Sequence, residues 1–321
     1  MIKKVGVIGA GSMGTAVART IAVNSKVLIY ARREEISRDI NENGFNSEYF
    51  PNIKLDDNIS ATSDYTQLKD MDIIFLCTPS SVVRDVVSKL NGIVGEDCIF
   101  VSTAKGIEKE TNKRMTEVIE EIINRPAVAF SGPNIASEMV NGLYASTTIA
   151  CSDNGCLDKV KSVLESNIFK VNTNNDVIGT EFCGIIKNVI AISQGICEGM
   201  DINNNAKFTV FTKSFNETKD IIEKLGGTRS VVDDYCGFGD IVTASTLTVS
   251  RNHTLGVLHG QRIIIDEKAS GVLFEGKNTT VILKQLFDEA GVNSVTLNFV
   301  YDVIINRTNP KIAFNDLWEN I

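Results

Sequence analysis

The chain has 321 residues, 43% of them apolar and 22% charged. That is the balance of a two-domain globular protein able to bury its cores without disulfide or metal staples. Lys plus Arg number 32 and Asp plus Glu 40, a net charge of −8; this excludes a broad basic footprint for nucleic acid and means that an anionic substrate needs a locally basic pocket. Two histidines exclude a His-rich metal site, and no apolar run is long enough to span a bilayer. The seven cysteines form no C-x-x-C pair and read as mostly buried free thiols in a reducing cytoplasm.

Lys3 and Lys4 ahead of an apolar stretch resemble the start of a signal peptide, but three glycines and Arg19 follow. The segment reads better as a strand at 5–8, a tight turn and a helix at 12–24. Further strands are predicted at 27–30, 72–77, 98–102, 127–130, 147–150 and 169–171, with helices near 80–90, 109–123 and 154–166. Strands alternating with helices imply crossover connections and a parallel sheet. From about residue 175 the apolar period becomes 3.6, over 178–200, 204–225, 276–290 and 294–306. The expected fold is therefore α/β: a Rossmann-like, mostly parallel sheet domain over 1–176, followed by an all-α C-terminal domain over 177–321.

Gly9-Ala10-Gly11-Ser12-Met13-Gly14 has the spacing G-x-G-x-x-G between a strand and a helix, the context that makes this motif a dinucleotide site. Gly9 permits the turn, Gly11 lets a pyrophosphate approach, and Gly14 lets the helix pack on the strand. The helix N-terminus offers N–H groups and partial positive charge to the phosphates. An NAD-preferring site usually has an acidic residue after its second strand. Here Ala31-Arg32-Arg33 stands there, which favours NADP(H) by offering guanidinium groups to a 2′-phosphate, while NAD(H) stays compatible.

Lys187 is the one charge in the window 182–193, and none of its i±3 and i±4 neighbours is an acid. A lysine is seldom buried without a partner or a task, and desolvation brings its proton transfer closer to neutral pH. The alternative is a side chain that snorkels to water. Lys105 and Ser131-Gly132-Pro133-Asn134 follow the fourth and fifth predicted strands, where open α/β sheets bind ligands. Asp240, after Gly237-Phe238-Gly239, suits a helix N-cap. If 240–251 were one straight helix, Asp240 and Arg251 would be ~16 Å apart, so a shared role requires a break between them.

With these pieces placed, the chain resembles the bacterial, biosynthetic NAD(P)-dependent glycerol-3-phosphate dehydrogenases over nearly its full length. The matching segments, in order, are GAGSMGTA (9–16), AR (31–32), CTPS (77–80), TAKGIE (103–108), SGPNIASE (131–138), CGIIKNVIAI (183–192), NAK (205–207), GFGD (237–240), SRN (250–252) and FEG (274–276). The resemblance implies that Ser12, Met13, Arg32, Arg33, Ala136 and Glu275 hold the dinucleotide and that Lys105 touches both cofactor and substrate. It implies Lys187 as proton donor and acceptor, with Lys105 assisting. Gly132, Asn134, Asp240, Ser250, Arg251 and Asn252 would line the substrate site, with Arg251 also near the cofactor. The implied reaction interconverts dihydroxyacetone phosphate and sn-glycerol 3-phosphate for glycerophospholipid synthesis. Met13 stands where the family usually has an aromatic residue, the segment 208–214 is bulkier than usual, and Phe238 often has leucine or methionine in its place.

Two other readings stand beside it. One is a related 2- or 3-hydroxyacid or ketopantoate-type dehydrogenase acting on a carboxylate. The other is a non-catalytic NADP(H)-binding sensor, suggested by the bulky 208–214 segment. The expected partner is a phosphorylated triose, with no nucleic acid and no membrane insertion. A homodimer is compatible with the sequence, which does not fix the oligomeric state.

Overall fold

The computed structural model describes residues 3–246, 250–263 and 275–321, the last span without the Glu275 side chain. Two compact units divide the chain, Met1–Val177 and Ile178–Ile321.

The first unit is a sheet with helices on both faces. Its strands are β1 (Lys4–Ile8), β2 (Lys26–Tyr30), β3 (Phe45–Asn46), β4 (Phe50–Lys54), β5 (Ile59–Thr62), β6 (Ile73–Leu76), β7 (Ile99–Ser102), β8 (Val128–Ser131), β9 (Ala145–Ala150) and β10 (Phe169–Asn174). Its helices are α1 (Ser12–Ala22), α2 (Glu34–Asn43), α3 (Val83–Leu90), α4 (Met115–Ile123), α5 (Ala136–Val140) and α6 (Asn154–Leu164). The main sheet has eight strands in the order β10-β9-β8-β7-β6-β1-β2-β5. All its neighbours are parallel except β8 and β9, where Phe130 faces Ile149 across an antiparallel pair. β3 and β4 form a separate hairpin.

Period-2 alternation feeds a core on each face. Val5, Val7, Ile73 and Phe75 point to one core, which α1 and α6 complete through Val17, Ile21, Val160 and Leu164. Ile8, Ile74 and Leu76 point to the other, filled by Val83, Val87 and Leu90 of α3 and Met115 and Ile119 of α4. Strands buried on both faces read as continuous apolar runs, which is why their positions are predictable. The chain places β2 on one side of β1 and β6 on the other. That makes the edge beside β1 the switch point where such sheets bind ligands.

Several predicted boundaries change. The helix expected at 109–123 begins only at Met115, because Asn112 takes φ +57° and the Glu117 carboxylate accepts from the Arg114 N–H at 2.8 Å to start it. α2, the β3–β4 hairpin and β5 are absent from the predicted elements. α2 buries only Ser37 and Ile40, too thin an apolar stripe to stand out.

The second unit is helical among the described residues: α7 (Val177–Gly199), α8 (Asn204–Lys224), α9 (Asp240–Thr246), α10 (Arg251–Gly260), α11 (Glu275–Glu289), α12 (Val295–Ile304) and α13 (Pro310–Glu319). α7 and α10 approach closely along paired small residues. A Cβ on Gly195 would lie 2.1 Å from the His253 carbonyl oxygen, and one on Gly256 2.2 Å from that of Ile192. Gly199 and Gly260 repeat the pattern one turn on, against Val257 and Ile196. Glycine at every fourth position lets helix backbones touch, and here it locks α10 onto α7. No helix among the described residues is long and apolar enough to cross a membrane.

Candidate active site

In the first unit the loops after β1, β6, β7 and β8 meet in a chain. Gly9 adopts φ +109°, a left-handed conformation suited to glycine, and a Cβ there would lie 2.6 Å from the Cys77 carbonyl oxygen. Ser80, further along the β6 loop, sits where a Cβ on Gly106 would be, its Oγ at 2.5 Å. The Lys105 ammonium donates to the Gly132 carbonyl oxygen at 3.0 Å. Gly132 is itself pressed onto β9, where a Cβ would lie 2.8 Å from the Thr147 Cα. Asn134 is fixed by donating from Nδ2 to the Ser146 carbonyl oxygen at 2.9 Å and accepting from the Thr147 hydroxyl at 3.3 Å.

The Lys105 loop is held from behind. Arg84 grips Glu108 with two bonds of 2.8 Å, and Thr111 also donates to that carboxylate. The guanidinium and the Thr111 hydroxyl hold the Glu108 carboxyl below the usual range against the opposing effect of burial.

The glycine loop tests its own reading. A Cβ on Gly14 would overlap the Gly9 carbonyl oxygen at 1.8 Å, so only glycine lets α1 start against the loop. A Cβ on Gly11 would meet nothing within 4 Å. Gly11 therefore faces open space at the N-terminus of α1, the cradle a pyrophosphate needs. Ser12 is exposed there, and Met13 packs partly on the core. Ala136 opens the short helix α5, which lies along α1. Cys77 borders the loop as an inert thiol, burial pushing it up to about 12.

Arg32 and Arg33 are both exposed after β2. Arg33 is bound to Glu48, whose hydrogen bond raises the guanidinium further above its ordinary value. Arg32 forms no ion pair among the described residues. The two arginines are thus inequivalent, which their adjacency does not reveal.

In the second unit Lys187, in mid-α7, keeps 14% side-chain exposure and Asp240, the first residue of α9, keeps 3%. Lys187 Nζ donates to Asp240 Oδ1 at 2.6 Å. The expectation that Lys187 lacks an acid among its helix neighbours holds locally, but the partner arrives from 53 residues away. The simple N-cap reading of Asp240 is corrected: its carboxylate is spent on Lys187, and the residue continues a π-helical turn, Tyr235–Gly239, with helical φ −74°, ψ −35°. Such turns occur often at functional sites; this one delivers a buried carboxylate to α7.

The break required between Asp240 and Arg251 is present. α9 is described as far as Thr246, and Ser250 is extended (φ −77°, ψ 115°), its hydroxyl accepting from the His253 N–H to cap α10. Arg251 is exposed in the first turn of α10, and Asn252 beside it is half-buried. Asn252 Oδ1 accepts from the Gly276 N–H at 3.2 Å, which leaves its amide N–H₂ to donate. Both Asn252 Oδ1 and the Ile192 side chain lie within 3 Å of where a Cβ on Gly276 would stand. Ile192 is five residues past Lys187, about 7.5 Å along α7. Lys187, Asp240, Ser250, Arg251 and Asn252 thus occupy one locked assembly of α7, α9 and α10. The side chain of Glu275 lies outside the described residues.

The bulky 208–214 segment does not distort α8. Val210 and Ser214 face inward, while Phe208 is exposed. Phe238 packs edge-on against Phe215, with ring centroids 5.6 Å apart.

A doubly wound sheet with a glycine cradle at its switch point, followed by a helical unit with a buried lysine–aspartate pair, defines a dinucleotide-dependent oxidoreductase. The comparisons give the family. Residues 4–157 match the family description NAD-dependent glycerol-3-phosphate dehydrogenase N-terminus, and 176–315 match its C-terminus. The glycerol-3-phosphate dehydrogenase (NAD(P)+) of Halothermothrix orenii is 33% identical over 99% of this chain and 95% of its own. That of Lysinibacillus sphaericus is 34% identical over 98% and 96%. The crystal structure of glycerol-3-phosphate dehydrogenase from Coxiella burnetii superposes with a TM-score of 0.92 at 25% identity, covering 99% of both chains. The chain belongs to the NAD-dependent glycerol-3-phosphate dehydrogenase family.

Proposed function

We propose that the protein reduces dihydroxyacetone phosphate to sn-glycerol 3-phosphate with NAD(P)H, supplying glycerophospholipid synthesis. The observation that carries this reading is the Lys187–Asp240 pair at 2.6 Å on the helix to which α10 is locked. A proton donor and a phosphate-binding helix start then sit on one rigid scaffold.

When bound, the reduced nicotinamide supplies the hydride that adds to C2 of the ketone. Lys187 donates a proton from Nζ to the oxygen on which negative charge develops, and takes it back in the reverse direction. Asp240 orients that ammonium and offsets its desolvation. Arg251, the Asn252 amide and the N–H groups of the Ser250-capped helix bind the phosphate, whose dianion suits a guanidinium and a helix N-terminus. Lys105, Gly132 and Asn134 form the substrate-facing group of the first unit, and Lys105 adds electrostatic stabilisation. Gly9, Gly11, Ser12, Met13 and Gly14 carry the pyrophosphate, with Ala136 beside them; Glu275 and Arg251 are assigned to the cofactor by the family resemblance. The seven free thiols suit a reducing cytoplasm.

This assignment predicts discrimination by the phosphate. Unphosphorylated dihydroxyacetone should be reduced with a kcat/KM at least roughly 10²-fold below that of the phosphate ester, because it lacks the dianion that makes charge-assisted bonds to the guanidinium and the helix N-terminus. Comparable values for the two ketones would remove α10 from substrate binding.

NADP(H) is the favoured cofactor, and Arg32 is the residue placed to read the 2′-phosphate, since Arg33 is engaged by Glu48. Arg32→Ala should lower kcat/KM for NADPH by about tenfold while leaving that for NADH within about twofold. An equal fall for both cofactors would assign Arg32 to the adenine or to structure instead.

A further inference from the structure

Asn46 lies in the β3–β4 hairpin, outside every motif that the sequence singles out. It is fully buried, at 0% exposure. Its Nδ2 donates to the Ala10 carbonyl oxygen at 2.8 Å and to the Thr15 hydroxyl, also at 2.8 Å. The Thr15 hydroxyl donates to the Gly11 carbonyl oxygen at 2.9 Å, which also accepts from the Thr15 backbone N–H at 2.9 Å. Its Oδ1 makes no hydrogen bond. A buried unpaired carbonyl costs about 1–3 kcal/mol, so this asparagine is a poor choice as filler, and its two donors are what the position uses.

The relay ends on two consecutive carbonyls of the glycine loop. The peptide unit is planar and trans, with C=O and N–H pointing in opposite directions, and the described chain contains no cis bond. Pinning the Ala10 carbonyl toward Asn46 therefore turns the Gly11 N–H the other way. Pinning the Gly11 carbonyl toward Thr15 does the same for the Ser12 N–H. Both N–H groups belong to the turn where a Cβ on Gly11 would meet nothing. Two adjacent N–H groups turned outward at a helix N-terminus form an anion cradle.

We infer that Asn46, braced by Thr15, is a positioning residue that presets the Gly11 N–H, beside the helix-fixed Ser12 N–H, for the dinucleotide's pyrophosphate. The inference rests on the proposed dinucleotide chemistry and adds a residue that no glycine motif contains. Without the relay the Gly11–Ser12 plane keeps its helical bond to the Thr15 N–H, but the Ala10–Gly11 plane must be fixed during binding, and affinity falls by that ordering cost. The effect belongs to the dinucleotide alone, since the relay's bonds run from the β3–β4 hairpin to the glycine loop.

The test uses the full-length protein and follows NADH and NADPH binding by the intrinsic fluorescence of the reduced cofactors. Asn46→Asp keeps the shape but, ionised, has no donor for Ala10. It should raise Kd for both cofactors about tenfold, a loss of about 1.4 kcal/mol, with kcat and the KM for dihydroxyacetone phosphate within about twofold of wild type. Thr15→Val should move Kd in the same direction, and Thr15→Ser, which keeps the hydroxyl, should restore it. Should Asn46→Asp not fold, the Thr15 pair decides: equal Kd for Val and Ser overturns the inference. So does an Asn46→Asp protein with wild-type Kd, or one whose kcat falls as far as its cofactor affinity. A wild-type protein that binds neither NADH nor NADPH overturns the underlying dinucleotide reading instead, and is recognised before any variant is made.

Discussion

Lys187→Met lowers kcat for dihydroxyacetone phosphate by about 10³–10⁴-fold, the upper part of the range for loss of a positioned general acid. The cause is local. Nζ is the proton-bearing group that Asp240 holds at 2.6 Å in the interior of the second unit, on the helix to which the proposed phosphate-binding turn is locked. Methionine is an unbranched apolar substitute of similar length, so packing survives. Cofactor binding, in which Lys187 is assigned no contact, should stay within about twofold. Steady-state rates paired with cofactor titration check both halves. A folded Lys187→Met protein with kcat within tenfold of wild type would strip Lys187 of the proton-transfer role.

Asp240→Leu is expected to destabilise the protein by about 3 kcal/mol and to lower Tm by roughly 10 °C. The cause is the ammonium left behind. Lys187 has only 14% side-chain exposure, and without Asp240 its desolvated charge loses the carboxylate that compensates it. The residual exposure puts the effect at the lower end of the range for broken buried pairs. Turnover should fall with stability, because Nζ loses the group that aims it. The double variant Lys187→Met/Asp240→Leu removes both charges and should regain most of the lost Tm while remaining inactive. Thermal melts of the two proteins, compared with wild type, make the check. An unchanged Tm in the single variant would mean that the pair carries no stabilising charge compensation.

The parts of this molecule legible in its sequence are those whose cause is local. Gly9, Gly11 and Gly14 announce their turn because each spacing answers a steric need within six residues. β1, β6 and β7 announce themselves because burial on both faces makes an unbroken apolar run. Lys187 stands out because one charge interrupts an apolar helix. Asp240 carries the reciprocal signature, a lone acid ahead of Ile241 and Val242, but nothing local joins it to a lysine 53 positions back. Only the packing of α9 on α7 does that. The glycine spacing at 195 and 199 and at 256 and 260 is likewise visible in each helix separately, while the fact that the two stripes face each other belongs to the fold. Asn46 was the least legible. It sits in a two-residue strand between Phe45 and Ser47, and the role proposed for it rests on the Ala10 carbonyl and Thr15 hydroxyl, 36 and 31 positions away.

The Glu48 contact teaches the same about Arg33. Two adjacent arginines after a second strand suggest one shared task, and the hairpin then engages one of them. Side-chain chemistry read along the chain identifies what a residue can do. Its long-range neighbours determine what it has left to offer.

The reaction assigned to this site is reduction of the C2 carbonyl of a phosphorylated triose. The most direct test is the fall in nicotinamide absorbance when the purified protein meets dihydroxyacetone phosphate, run separately with NADPH and NADH. The expected result is rapid oxidation that depends on the ketone, with NADPH the faster cofactor. A folded protein that binds NADPH or NADH yet oxidises neither in the presence of dihydroxyacetone phosphate would contradict it.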